Sequence, residues 1–275
     1  MIYYINSNHS QLLQNISSVA DGKSFVIKGF LQQLGFDPDE LFRKLSSVPR
    51  NDRNDQMTRY RGRVLTREKF YVDLIEAQDR IGLYRFPGMQ YGLVERYYKR
   101  DEVPLVALLA DLLTKLKIGD NEFPITFTQA IATYYVDGKD AISMHSDKKA
   151  DINDDSFIMS LSFGVPRAMT LKNTVTGKEE VITLEAGDLF ILSTTTNDSW
   201  QHGVLPMKGV SEPRMSIVFR DIKTIITTDE LKKRVDRSEK GREKRLENKR
   251  KREEGIDERS CEKRTLSHSE CEHPI

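Results

Sequence analysis

Apolar residues along this chain recur in two rhythms. After Pro104, Leu105, Leu108, Leu109, Leu112, Leu113 and Leu116 fall at helical spacing through Lys117, which predicts a supporting helix packed on a sheet. From Phe123 onward the rhythm shortens. Residues 125–135 are β-prone and run into the turn signal Asp137-Gly138. Residues 157–163 alternate large and small side chains up to Gly164, and 168–172, 180–184, 188–192 and 215–219 read as further strands separated by Gly, Asn, Asp or Pro. Short strands with frequent turns over about a hundred residues predict a sandwich or jelly roll.

Ahead of that region the signals are mixed. Residues 1–23 show no clear period, and Ser24 to Leu31 reads as a short strand ending in a turn. Asp37-Pro-Asp-Glu40 is a helix start, with an N-cap Asp, Pro in the first turn and acids behind it. The helix 38–45 then buries Leu41, Phe42 and Leu45 on one face. Residues 71–81 are read as a short helix, 82–88 as strand and turn, and 91–98 as an extended tyrosine-rich segment. Between 49 and 71, Arg50, Arg53, Arg59, Arg61, Arg63 and Arg67 interleave with Tyr60, Phe70 and Tyr71. Guanidinium groups beside aromatic faces suit a phosphate backbone and a stacked base; a solvated surface loop is the other reading.

The segment 231–255 holds twelve Lys or Arg against six Asp or Glu, a local charge of +6, with almost nothing to bury. It reads as a solvated helix or disordered tail that confers solubility or assists nucleic-acid binding, and the run 249–252 resembles a nuclear import signal. Residues 1–228 are therefore expected to form one domain, with an N-terminal helical and lid part at about 1–122 and a core at about 123–222. Residues 229–275 form the charged tail outside it.

The whole chain carries a net charge of only +1, so global charge selects no partner. No apolar run is long enough to span a membrane, and the N-terminus lacks the basic and apolar regions of a secretory signal. Two cysteines, Cys261 and Cys271, exclude a disulfide framework and a Cys-rich zinc site. These features predict a soluble intracellular protein, cytoplasmic or nuclear, with no membrane partner and no obligate protein partner.

Candidate chemistry concentrates between Thr133 and Asp221. Met144-His-Ser-Asp147 is followed 57 residues after His145 by His202, within Trp200-Gln-His-Gly203. Two of the five histidines thus join one carboxylate in a His-x-Asp…His pattern, the donor set of a facial triad for iron(II). Side chains at i and i+2 of extended backbone point the same way, so His145 and Asp147 can meet one metal. Arg214 and Arg220 lie six apart on one predicted strand and share a face, while Met215, Ile217 and Phe219 form the other. Guanidinium grips a carboxylate in a planar, bidentate way that lysine cannot.

Taken together, His145-Ser-Asp147, Trp200-Gln-His-Gly203 and Arg214-Met-Ser-Ile-Val-Phe-Arg220 resemble the core of the AlkB-like iron(II)/2-oxoglutarate dioxygenases. Tyr135-Val-Asp-Gly138, residues 158–164 and 187–193 add to the resemblance, which covers roughly residues 24–222. It implies an α+β, mainly β fold: a double-stranded β-helix (jelly roll) braced by N-terminal helices. It also implies oxidative dealkylation of methylated bases in DNA or RNA, single-stranded or flipped out of a duplex. By the same resemblance His145, Asp147 and His202 hold Fe(II), and Arg214 with Tyr135 binds the distal carboxylate of 2-oxoglutarate. Arg220 lies near the other carboxylate; O2 is the second co-substrate and ascorbate the reductant in vitro. The substrate is expected at Arg50, Arg59, Tyr60, Arg61, Tyr84, Phe86 and Lys149. Lys149 stands where many relatives carry an acid, Thr133 replaces a frequent Asn, and Ser216 and Val218 replace Asn and Thr. Two further functions fit the residues: a 2-oxoglutarate hydroxylase acting on protein or a small molecule, and a non-catalytic nucleic-acid-binding relative.

Overall fold

The computed structural model describes residues 2–6, 9–50, 59–60, 63–64, 67–84, 97–118 and 125–234, with 236–237, 240–241, 243–244, 246–248 and 250–251 beyond them. It divides into two compact units, residues 1–89 with 93–228, and 90–92 with 229–275. In the second, the described residues up to 251 are helical, with ion pairs Arg234–Glu230 and Lys251–Glu247 one turn apart. Among the described residues no helix is long and apolar enough to cross a membrane.

The first unit is mainly β. Its largest sheet has eight strands in the order Ile16–Val19, Ser24–Ile27, Leu189–Ser193, Phe157–Gly164, Arg214–Arg220, Gln129–Tyr135, Glu68–Asp73 and Tyr97–Lys99. Neighbours are antiparallel except for the last pair. A second sheet of four strands runs Ile142–His145, Trp200–Val204, Arg167–Asn173 and Glu179–Leu184.

Period-2 alternation gives the large sheet two different faces. Met159, Leu161, Phe163, Met215, Ile217 and Phe219 face one apolar cluster, together with Phe30, Leu41 and Leu45 from the first part of the chain and Val106, Leu109 and Leu113 from the leucine-rich helix. The intervening residues Ile158, Phe190, Leu192 and Val218 belong to a second cluster with Met169, Leu171, Leu184, Trp200 and Val204 of the smaller sheet. The polar residues on that inner face, Ser160, Arg214, Ser216 and Arg220, line a pocket.

The helix at Pro38–Ser46 forms as its start signal predicts: the Asp37 carboxylate accepts from the Asp39 N–H at 2.9 Å, and Leu41 and Leu45 are buried. Three other expectations need correction. Residues 71–81 are not a helix but parts of the strands Glu68–Asp73 and Arg80–Gly82. Phe70 and Val72 face the helix-side cluster while Tyr71, flanked on its face by Lys69 and Asp73, faces the pocket, so both sides are covered and no solvent-exposed face marks the strand period. The leucine-rich helix, Pro104–Thr114, stops before Lys117; Leu116 and Ile118 are buried in the strand Leu116–Ile118, which pairs with Ile2–Asn6. Residues 1–23, without a visible period, contain the strands Ile2–Asn6, His9–Leu12 and Ile16–Val19.

Candidate metal centre and acid pocket

Antiparallel pairing puts His145 directly opposite His202, with ring centroids 4.4 Å apart. Register between the two strands shifts just before this pair. Gly203 allows the close approach, since a Cβ there would meet the Ile142 carbonyl oxygen at 2.9 Å and Met144 Sδ at 3.0 Å. Asp147 follows two residues after His145, and the donor atoms of His145, Asp147 and His202 all lie within 4.8 Å of one another. His145 Nδ1 sits 2.8 Å from the Ser143 carbonyl, which can only accept, so Nδ1 carries the proton and Nε2 keeps its lone pair. That Nε2 is 3.9 Å from Asp147 Oδ1.

The Asp147 carboxylate is buried and held from two sides. Arg220 Nε donates to Oδ2 at 3.1 Å, and Nη2 donates to Oδ1 at 3.1 Å and Oδ2 at 3.0 Å. The Tyr84 hydroxyl donates to Oδ1 at 3.2 Å. Burial opposes the carboxylate charge, but Arg220, through its charge and its hydrogen bonds, outweighs it and holds the group at about 2. Burial, and next the neighbouring His145, push His202 down to about 3; burial also lowers His145. Both imidazoles are thus neutral and the carboxylate ionised at pH 7, the protonation state a divalent cation requires.

Arg214 lies opposite Tyr135 on one side and Gly164 on the other. It is 1% exposed, and its Nη2 donates to Ser162 Oγ at 3.0 Å. Among the described residues its Nε and Nη1 have no acceptor. Its guanidinium carbon stands 5.1 Å from the Tyr135 ring centre. Two buried guanidinium donors without partners are costly unless a ligand satisfies them, and a carboxylate has the matching fork. Burial lowers the guanidinium's proton affinity, opposed by Tyr135.

The remaining expected positions divide. Tyr84 lines the pocket, but its hydroxyl also accepts from the Lys148 N–H at 2.8 Å, and the Arg220 guanidinium lies 4.8 Å over its ring. It therefore braces Asp147 and does not offer an open stacking face. Arg50 is spent on structure: it donates to Glu68 at 2.9 Å and the Ser46 carbonyl at 2.6 Å, and stacks 4.1 Å over Tyr134, which packs on the helix-side cluster. Lys149 is half-buried and pairs with Asp198 at 2.7 Å, outside the pocket lining. Arg59 and Tyr60 form a short strand paired with Arg63–Val64; their side chains, like Arg61 and Phe86 altogether, lie outside the described residues.

The structure adds residues that the sequence reading left out. Lys69 and Tyr71 line the pocket from the strand Glu68–Asp73. Asn197, 2% exposed, clamps the backbone of Asp147, accepting from its N–H at 2.7 Å and donating to its carbonyl at 2.9 Å. It sits in the short helix Thr194–Ser199, immediately before the strand carrying His202, so one amide ties the two ligand-bearing segments together. Replacing Asn197 with alanine should weaken divalent-metal affinity by about 10–100-fold, the usual cost of losing an orienting partner. Titration with Mn(II) followed by calorimetry reads this directly; affinity equal to wild type would show that the clamp does not set the site.

The chain matches the family model described as the 2OG-Fe(II) oxygenase superfamily over residues 26–220. It is 28% identical over 125 residues to an uncharacterized protein of Acanthamoeba polyphaga mimivirus, covering 44% of this chain and 62% of that one. With the Alpha-ketoglutarate-dependent dioxygenase alkB homolog 3 of Mus musculus it shares 29% over 106 residues, covering 35% of this chain and 37% of the relative. With the DNA oxidative demethylase ALKBH2 of Bos taurus it shares 32% over 105 residues, covering 35% and 38%. The aligned stretches thus span less than two thirds of each relative. The solved structure titled "The structure of OsALKBH1" superimposes with a TM-score of 0.48 at 13% identity, covering 75% of this chain and 99% of that one.

Proposed function

Because the chain belongs to the 2OG-Fe(II) oxygenase superfamily and is AlkB-like within it, we propose that it is an Fe(II)- and 2-oxoglutarate-dependent dioxygenase that dealkylates methylated nucleic-acid bases. The observation that carries this is one pocket holding both a His–Asp–His triad and a buried arginine with two unpartnered donors. In this reading the two facing sheets form a double-stranded β-helix with the reaction chamber between them.

His145, Asp147 and His202 would hold iron(II), which when bound supplies the activation of O2 against 2-oxoglutarate. Arg214, oriented by Ser162 and beside Tyr135, would take the distal carboxylate of the keto acid. Arg220 and Tyr84 fix the Asp147 carboxylate before any metal arrives, so binding requires little reorganisation there. Ile131, Ile158, Phe190, Leu192 and Val218 wall the chamber and keep water from the reacting groups. Overall, one 2-oxoglutarate, one O2 and one N-methyl base give succinate, CO2, formaldehyde and the N–H base. The name of the Bos taurus relative, DNA oxidative demethylase ALKBH2, supports nucleic acid as the substrate.

The test is mass spectrometry of methylated DNA and RNA oligonucleotides incubated with iron(II), ascorbate and 2-oxoglutarate. Loss of 14 mass units per methyl group, about the mass of one CH2, with succinate formed in step and both absent in His145→Ala, is the expected result. Succinate coupled only to a protein or small-molecule substrate would replace the nucleic-acid reading with that of a hydroxylase.

A further inference from the structure

Resting on that reading, we propose that the charged helical segment after residue 228 holds the phosphate backbone of a single-stranded nucleic acid along one stripe of cations. Between 229 and 251 every described residue is helical. Lys233, Arg237, Lys240 and Lys244 are all exposed, and their spacing of four, three and four residues follows the helical repeat. At about 100° per residue they fall within an arc of about 60° and form a stripe about 16 Å long. Lys251 lies on the same line and pairs with Glu247. Asp236, Glu243 and Glu247 fall in a separate arc of about 40° beside it.

Segregation of this kind works against the helix itself. A charged helix that serves only solubility alternates sign, so that residues one turn apart attract, as Arg234 and Glu230 do. Here Lys233 stands one turn from Arg237, Lys240 one turn from Lys244, and Glu243 one turn from Glu247. Like charges at that spacing weaken a helix. Opposite charge laid along the stripe removes the repulsion. A phosphate backbone supplies that charge as a continuous row, and the counterions it releases drive the binding.

Among the described residues of the segment only Leu231 and Leu246 have apolar side chains, too few to make the face with which a helix enters a bilayer. The stripe therefore suits a soluble polyanion and not a membrane. Because stripe and pocket belong to one chain, a nucleic acid held by one is presented to the other at a raised effective concentration. Phosphate contacts of this sort give affinity without reading bases, which leaves the choice of base to the pocket.

Fluorescence anisotropy of an unmodified single-stranded DNA oligonucleotide, titrated at a series of salt concentrations, reads these contacts directly. Each lost phosphate contact flattens the slope of log K against log salt by about 0.7, so Lys233→Gln/Arg237→Gln/Lys240→Gln/Lys244→Gln should flatten it by about 3. A rise in salt of about fourfold should then weaken the wild type about 50-fold more than the variant. On methylated oligonucleotides the variant should keep kcat and raise KM. Lys232 and Arg250 lie beyond the acids, off the stripe, and serve as the charge control. Lys232→Gln/Arg250→Gln should flatten the slope far less than Lys240→Gln/Lys244→Gln. A slope that the quadruple variant leaves unmoved overturns the inference; if light scattering shows a wild-type dimer lost at the same time, the stripe faces the acidic arc of a second copy instead. Equal flattening by the two double variants also overturns it, because bulk charge and not the stripe would then set affinity. In either case methylated oligonucleotides that are still oxidised leave the demethylase reading standing. Neither binding nor oxidation of any oligonucleotide would bring down that reading, and this inference with it.

Discussion

Asp147→Ala should abolish oxidation and, separately, destabilise the metal-free fold. The first effect follows from losing the only anionic member of the triad. Metal-dependent activation contributes several kcal/mol, so kcat/KM should fall by at least about a thousandfold. The second effect follows from what the carboxylate does before metal arrives. Arg220 is 7% exposed and makes three hydrogen bonds to Asp147, so alanine would leave a buried guanidinium without its counter-ion. Breaking a buried pair from one side costs about 3–5 kcal/mol, a large share of the stability of an ordinary domain. The double variant Asp147→Ala/Arg220→Met removes both charges and should recover most of the lost melting temperature while staying inactive. If the single variant melts like wild type, the pair does not form in solution.

Arg214→Met should act in the opposite sense on stability. The wild-type side chain keeps two unpartnered donors in a site that is 1% exposed, so removing them should raise metal-free stability by about 1–3 kcal/mol. KM for 2-oxoglutarate should meanwhile rise by about a hundredfold or more, because each charge-assisted bond to a carboxylate is worth about 1.5–3 kcal/mol. Arg214→Lys keeps charge but not the planar fork and should fall between. Metal affinity should be unchanged, since Arg214 touches none of the three donors; that separates this defect from Asp147→Ala. Thermal shift with added 2-oxoglutarate gives the deciding contrast: wild type gains melting temperature and Arg214→Met does not. An equal gain in both would remove Arg214 from co-substrate binding.

These two arginines show what is legible in a sequence. Their strand buries a continuous apolar face at Met215, Ile217 and Phe219, so period 2 is plain and the shared inner face of Arg214 and Arg220 follows. The helix Pro38–Ser46 is equally readable, because Asp37 and Pro38 act within a few residues of themselves. The strand Glu68–Asp73 is not, because neither face is open to solvent: Phe70 and Val72 are buried on one side, and Tyr71 and Asp73 are buried beside half-buried Lys69 on the other. Lys69 looks like one more surface charge until that strand is placed beside Gln129–Tyr135. Asn197 is harder still. Among Thr194, Thr195 and Thr196 it reads as turn material, and its purpose lies in a backbone 50 residues earlier.

Every motif that carries the chemistry falls after residue 130, which invites trimming the polypeptide to that part. Strand order argues against it. Leu189–Ser193 is covered along one edge by Ser24–Ile27, and Gln129–Tyr135 along one edge by Glu68–Asp73. A shortened polypeptide would bare both edges at once, each a row of unpaired amides flanked by large apolar side chains. Such a fragment should aggregate rather than work, and its inactivity would say nothing about the triad it still contains.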